Sequence, residues 1–557
     1  MKRLIVLVAG LNSAPKEWYP LANRLRREAL LEGSDFLIFD HCGCWNLQAL
    51  RKCFTESIET LAIDLKAKIE RCVIASPEPY DDIICIAHSV GGLIVRQAYL
   101  LAAGAYAGTP KSQIPWTDKV SRFVLIASIN RGFEPNRLWA SGLVGLSSVT
   151  GIFPMLREMT KGAAFVTSLR ISWIRHFSNP KYQKVIMIQL LGTQDSIVKR
   201  EDSIDLQQFP NGVQFDVPDA SHDDLYRPSG KGTHASAEWD ARYQLLQWAI
   251  LQYNPKQTAS IPSFLSKKIS ISPVKRSTQT ATVFIVHGIR GSNSGWPKQL
   301  EQKMSQHFGK DFVAIRSTYG YFSAFNFFFP WLRRRNIRWF QDQYSYHFAL
   351  NPQAEFYFIG HSNGTYLLGE SLKRVAAMRF KRVYLAGSVL PCDYQWQERF
   401  DLSQVEELRN DRSCWDWPVG ILCSGLRGLG MRDIGTGGFD GFQFDDNRTE
   451  EVCYFQGSHG KPLADENQNS ILSFIAEGDR THPPNLLEIN QISSRFRWCS
   501  RLAPYLTPLL VVLVIALLLF GGWCVLHTCP VYSLQFWLRF VLLGACLYVA
   551  YAIADTA

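Results

Sequence analysis

Runs of consecutive apolar β-formers, separated by amphipathic or polar stretches, occur twice along this chain in the same order. In the first half they lie near residues 4–11, 36–39, 83–86, 123–127, 185–191 and 213–217. In the second they lie near 283–286, 312–315, 356–359 and 383–386. The runs are unbroken rather than alternating, as strands buried on both faces read. Before the third run, Phe54, Ile58, Leu61, Ala62, Leu65 and Ile69 share one helical stripe. The pattern predicts an α/β protein with two domains, residues 1–253 and 281–478, each a mostly parallel sheet with helices on both faces. Residues 254–280 are polar and rich in Pro, Ser and Lys, a linker composition.

Residues 504–526 carry no charge and are long enough to cross ~30 Å of hydrocarbon. A second apolar stretch, 533–554, has only Arg539 near its start. The connector is short, so a transmembrane hairpin is expected, with one span plus an interfacial helix as the other arrangement. Arg495, Arg497 and Arg501 precede the first span, which puts the bulk of the chain on the cytoplasmic side. Met1-Lys2-Arg3 and the apolar run after them have the composition of a signal peptide. The same layout recurs at 283–289, inside the chain, so the segment reads as a first strand.

With 557 residues the chain exceeds one core. Its net charge of +10 is spread out, without the Lys/Arg blocks that track a phosphate backbone, so no nucleic-acid partner is expected. The excess suits an anionic membrane surface. The 13 cysteines are scattered and spell no disulfide framework, which reads as a reducing compartment. His41-Cys42-Gly43-Cys44 lacks a second ligand pair at zinc spacing; no metal or cofactor is expected.

Two strands end in a serine set among small residues, Ala87-His88-Ser89-Val90-Gly91 and Gly360-His361-Ser362-Asn363-Gly364. That is the nucleophile elbow, a tight strand-to-helix turn that raises a hydroxyl. Asp195 and His222 follow Ser89, and Asp416 and His459 follow Ser362, in the order Ser, Asp, His, each set near strand ends. Asp195-x-x-Val198 and Asp416-x-x-Val419 match, which favours these acids over Asp202, Asp219, Asp411 and Asp433. The backbone N–H groups of Val90 and Leu11, and of Asn363 and Ile289, are the candidate oxyanion donors. His88 and His361 read as packed structural residues. Residues 133–177, present only in the first half at that position, read as a cap over the site.

Both halves resemble the α/β-hydrolase superfamily, in particular lipase-like serine esterases. GHSNG fits the G-x-S-x-G motif, whereas the first half has Ala87 for the first Gly, and Ala9 where the second has His287. The resemblance implies a serine hydrolase acting on carboxylic esters through Ser-His-Asp triads. The apolar tail adds a lipid or acyl-ester substrate at a membrane. A thioesterase, peptidase or acyltransferase, and an inactive or single-active-domain scaffold, are the other readings.

Overall fold

The apolar runs of the first half become six parallel strands: β1 (Arg3–Val8), β2 (Asp35–Phe39), β3 (Asp82–His88), β4 (Val120–Ile126), β5 (Ile186–Gly192) and β6 (Gly212–Val217). Their order across the sheet is β2-β1-β3-β4-β5-β6. The computed structural model describes residues 1–11, 13–41, 47–134, 152–199, 205, 209, 211–227, 233–255, 280–288, 295–309, 312–317, 327, 330–481, 486–488 and 491–528. They fall into two units. The first takes Met1–Thr278 with Phe340–Pro352 and Val375–Met378, and the second takes the rest.

Alternate residues of a strand point to opposite faces, and here both faces are covered. Ile5, Leu7, Ile84, Ile86, Val124 and Ile126 pack with Trp18, Leu21, Trp239 and Leu246 in one core cluster. Toward the other side lie α1 (Ile58–Ala75), α2 (Gly91–Ala102) and α3 (Ala164–Phe177), whereas Trp239 and Leu246 belong to α4 (Thr233–Gln247). Ser57 caps α1 by accepting a hydrogen bond from Thr60 N–H. That cap ends the predicted stripe one turn early. Ile58, Leu61, Ala62, Leu65 and Ile69 are buried, but Phe54 belongs to the preceding helix and stacks on Phe153.

The segment expected to cap the first site divides in two. In α3, Trp173 and Phe177 pack against Phe123 of β4 and Tyr99 of α2, so this part is core. Residues 135–151 lie outside the described residues, as do 256–279 of the expected linker.

The second unit repeats the plan: β7 (Ala281–Val286), β8 (Phe312–Arg316), β9 (Glu355–His361), β10 (Phe380–Ala386), β11 (Val405–Trp415) and β12 (Thr449–Ser458), in the order β8-β7-β9-β10-β11-β12. This is the order of the first sheet, strand for strand, and every pairing is parallel. The helices used below are α5 (Trp296–Phe308), α6 (Asn363–Arg374), α7 (Ser424–Gly428), α8 (Gln468–Glu477) and α9 (Ser494–Thr528). α5 and α8 supply Leu300, Met304, Ile471 and Phe474 to a core shared with Ile285 and Ile359.

Strands β11 and β12 carry more charge than any strand of the first sheet. The charges are paired inside the sheet. The Arg409 guanidinium donates to both Asp411 carboxylate oxygens, and Asp411 Oδ2 also accepts from the Tyr384 hydroxyl. Glu451 accepts from Asn410 Nδ2 and from Phe442 N–H. Burial pushes the Glu451 carboxyl up to about 7, against the opposing pull of Arg412. An acid whose pKa is raised by folding stabilises the native state below its unfolded value and loses that contribution as pH climbs through the folded one. The melting temperature of the second unit is therefore expected to fall between about pH 4.5 and 7. Glu451→Gln should flatten that slope, as calorimetry at several pH values would show.

Helix α9 has two characters. Phe496, Ser500 and Ala503 are buried against the second unit, at one-turn spacing. Beyond this, Leu509, Leu510, Val511, Leu513, Leu517 and Phe520 are exposed. The helix is long and apolar enough to cross a membrane. The second span expected at 533–554 lies outside the described residues, among which α9 is the one helix of this kind.

Candidate active sites

Each nucleophile candidate sits where a strand turns abruptly into a helix. Ser89 has φ 53° and Ser362 φ 52°, left-handed values that a non-glycine residue adopts only when its surroundings enforce them. Ser89 N–H is held by the Ile126 carbonyl at 2.9 Å, and Ser362 N–H by the Ala386 carbonyl at 3.1 Å. The next turn must pass close to the neighbouring strand. A Cβ on Gly91 would lie 2.5 Å from the Ala9 carbonyl oxygen, and one on Gly364 would lie 2.4 Å from that of Val286.

The departure from the motif at Ala87 has a local cause. A Cβ on Gly360 would fall 2.4 Å from the ring of Phe358, two residues back on the same face of β9. The matching residue in β3 is Cys85, which leaves room for the methyl group of Ala87.

In the first unit the three candidate residues form a continuous hydrogen-bonded chain. His222 Nδ1 lies 2.8 Å from Asp195 Oδ2, and His222 Nε2 lies 3.0 Å from Ser89 Oγ. A carboxylate can only accept, so Nδ1 carries the proton and Nε2 is left to accept from the serine hydroxyl. Asp195 Oδ1 accepts from the N–H groups of Ile197 and Val198. Burial would raise the Asp195 carboxyl, yet the hydrogen bond and charge of His222, with these two amides, hold it below its ordinary value.

The second unit reproduces most of this. His459 Nδ1 is 2.8 Å from Asp416 Oδ2, and Asp416 Oδ1 accepts from Val419 N–H at 3.0 Å. The shared Asp-x-x-Val spacing thus marks a turn in which the valine amide orients the carboxylate. His459 Nε2 makes no hydrogen bond, so the link to Ser362 present in the first unit is open here. Apo sites often carry such loose contacts.

The competing acids are engaged elsewhere. The Asp411 carboxylate pairs with Arg409, that of Asp433 with Arg333 and Tyr366, and that of Asp219 accepts from Gln194 Nε2. Asp202 lies outside the described residues.

His88 and His361 are buried behind the serines. Each ring Nε2 reaches the backbone carbonyl of the site histidine, His222 at 3.0 Å and His459 at 3.3 Å. Burial drives the His88 imidazole down to about 3 and His361 well below its ordinary value. Both rings are therefore neutral donors that tether the loop bearing the site histidine. They are not available as bases.

Val90 and Asn363 stand at the N-termini of α2 and α6, where N–H groups lack intrahelical acceptors and the helix dipole favours negative charge. Leu11 follows Gly10, whose position beside Ser89 is so close that a Cβ would lie 3.1 Å from the Ser89 Cβ. Ile289 lies outside the described residues; Gly288 before it stands nearer still, 2.5 Å from the Ser362 Cβ by the same measure.

Sequence reasoning did not single out the residue that backs each site histidine. A Cβ on Gly387, φ 52°, would lie 2.6 Å from His459 Cε1, and Ala127 adopts φ 44° at the matching place after β4. The signal was present as a small residue followed by serine, Ala127-Ser128 and Gly387-Ser388, closing the same strand in both halves.

Among the described residues, His88, His222 and Asp223 are close enough to hold a metal ion. Both ring nitrogens of His222 and Nε2 of His88 already have hydrogen-bond partners. His41 Nε2 likewise faces the Ala9 carbonyl at 2.8 Å; Cys42 and Cys44 lie outside the described residues.

No protein-family model matches the chain, and no curated protein sequence does. Solved structures similar to it include phospholipase PlaB from Legionella pneumophila, at 13% sequence identity over 52% of this chain and 72% of that one, with a TM-score of 0.34. A monoacylglycerol lipase from Paleococcus ferrophilus matches at 14% identity over 43% and 94% of the two chains, with a TM-score of 0.27. A soluble variant of monoglyceride lipase from Saccharomyces cerevisiae matches at 15% over 45% and 88%, with a TM-score of 0.30.

Proposed function

We propose that the chain is a membrane-anchored tandem serine hydrolase that cleaves carboxylic esters of lipid or acyl-ester substrates. The observation that carries this reading is the unbroken Asp195, His222, Ser89 hydrogen-bonded chain beneath a raised serine hydroxyl. In the reaction, Ser89 Oγ attacks the ester carbonyl while its proton passes to His222 Nε2. Asp195 holds the ring and stabilises the imidazolium that forms. The N–H groups of Val90 and Leu11 take the oxyanion, the alcohol leaves with the proton from His222, and water then releases the acid from Ser89 by the same steps in reverse. In the second unit Ser362, His459 and Asp416 take the corresponding roles, with Asn363 and Ile289 as oxyanion donors.

Helix α9 is the anchor, and Arg495, Arg497 and Arg501 before it keep the bulk of the chain on the cytoplasmic side. An apolar anchor on the same chain favours amphiphilic esters. The open His459 to Ser362 contact favours a second reading for the second unit alone, a non-catalytic module retained for regulation. Labelling with a fluorophosphonate probe tests both readings. Wild type is expected to label at Ser89 and Ser362, and Ser362→Ala at Ser89 only. Absence of label at Ser362 in folded protein would move the second unit to the scaffold reading, and absence at both serines would end the hydrolase proposal. Parallel assays of esters, thioesters and peptides would separate ester hydrolysis from the other acyl-transfer chemistries.

A further inference from the structure

We propose that helix α9 is a working part of the second site: residues Phe496 to Thr507 clamp the segment from Asp416 to Gly428 and thereby set the position of the Asp416 carboxylate. This rests on the reading of Ser362, His459 and Asp416 as a hydrolytic triad.

The segment after Asp416 is an irregular π-helix, Pro418–Cys423, that runs into the single turn of α7. π-Helical turns are poor in stability on their own and need support from outside. The support comes from α9 along its docked face. The Phe496 ring packs on Trp415 at 5.5 Å and on Phe439 at 5.2 Å, so it covers the residue just before the acid. One turn on, Ser500 Oγ donates to the Gly420 carbonyl at 2.5 Å, and the Ser500 carbonyl accepts from Ser424 Oγ at 2.8 Å. Ser500 is buried, so both bonds form away from competing water. Another turn on, a Cβ on Gly428 would lie 1.9 Å from the Pro504 carbonyl oxygen, and one on Gly425 would lie 2.3 Å from Thr507 Oγ1. The two glycines allow α7 and α9 to meet at backbone distance, the small-residue contact by which helices pack closely.

These contacts reach the acid in one step. Gly420 N–H bonds the Asp416 carbonyl at 2.7 Å, and Val419 N–H bonds Asp416 Oδ1 at 3.0 Å. Ser500 therefore grips the C=O of the same residue whose N–H holds Asp416. The first unit does this differently. Gln194 N–H bonds the Ala220 carbonyl, and Ile197 and Val198 supply the amides to Asp195, so the acid turn is braced by the loop carrying His222. A disturbance of α9 should then impair Ser362 and leave Ser89 untouched.

The test uses the full chain in detergent or lipid nanodiscs, with Ser89 as an internal reference. Gly428→Ala forces a methyl group against the Pro504 backbone, which cannot rotate away. It is expected to slow fluorophosphonate labelling of Ser362 about ten- to a hundredfold, the cost of a misplacement near 1 Å, with labelling of Ser89 unchanged. Ser500→Ala, the milder variant, should lower kcat for a soluble p-nitrophenyl ester severalfold in the Ser89→Ala background. KM should stay at its reference value, since the contact orients the acid without touching substrate, and the melting temperature should fall by no more than about 2 to 4 °C, the share of the one buried bond removed. Wild-type labelling rates at Ser362 in both variants would overturn the inference and leave α9 an anchor only. Should Gly428→Ala fail to fold, an unchanged kcat in Ser500→Ala would overturn it by itself. No labelling of Ser362 in wild type, with Ser89 reacting, would instead remove the triad reading of the second unit and this inference with it.

Discussion

In a Ser362→Ala background that silences the second unit, His222→Ala is expected to reduce ester turnover at Ser89 by on the order of 10⁵ to 10⁶, with little change in KM. The argument is one of proton accounting. The serine hydroxyl becomes a competent nucleophile only when its proton leaves as the bond to carbon forms, and His222 Nε2 is the acceptor within reach, 3.0 Å from Ser89 Oγ. His88 cannot take over, because its Nε2 is committed to the His222 carbonyl and burial keeps the ring neutral. Residual rate should come from the oxyanion donors and from binding. A loss confined to KM would show that His222 binds substrate and is not the base. Single-turnover measurements with a p-nitrophenyl ester distinguish the two outcomes.

A second large effect is expected at the other acid. In a Ser89→Ala background, Asp416→Asn should lower turnover at Ser362 by about 10⁴. The fold decides which way the new amide faces. Val419 N–H needs an acceptor at the position of Asp416 Oδ1, so the amide oxygen goes there and the NH₂ is turned toward His459 Nδ1. A donor facing Nδ1 forces the proton to Nε2, and a ring protonated at Nε2 cannot accept from serine. The side chain is fully buried, so no water is at hand to relieve the mismatch. Asp416→Ala removes the opposing donor and should cost less than Asp416→Asn. Equal losses in the two variants would show that charge, rather than tautomer, is what Asp416 supplies, because both substitutions remove it.

Much of this architecture was legible because the first sheet obeys a simple rule. Strands covered on both faces are apolar at most positions, and such runs stand out whatever the order of the chain. The rule fails at β11 and β12, which the pattern did not predict. There Arg409 and Asp411 satisfy one another within the sheet, and Asn410 joins Glu451 on the next strand, so charge is carried into the interior. Phe54 misled in a different way. It kept the helical spacing of its neighbours, but the Ser57 cap ended the helix before reaching it.

By itself, then, the sequence determined that two parallel sheets follow one another along the chain and where both serines stand, since apolar continuity and the demand for small residues at a sharp turn are local properties. Only the tertiary structure decided that His222 reaches Ser89 while His459 leaves Ser362 open, that His88 and His361 tether the histidine loops, and that α9 leans on the arm bearing Asp416. These depend on residues far apart in the chain being brought to hydrogen-bonding distance, and no period or composition records a distance through space.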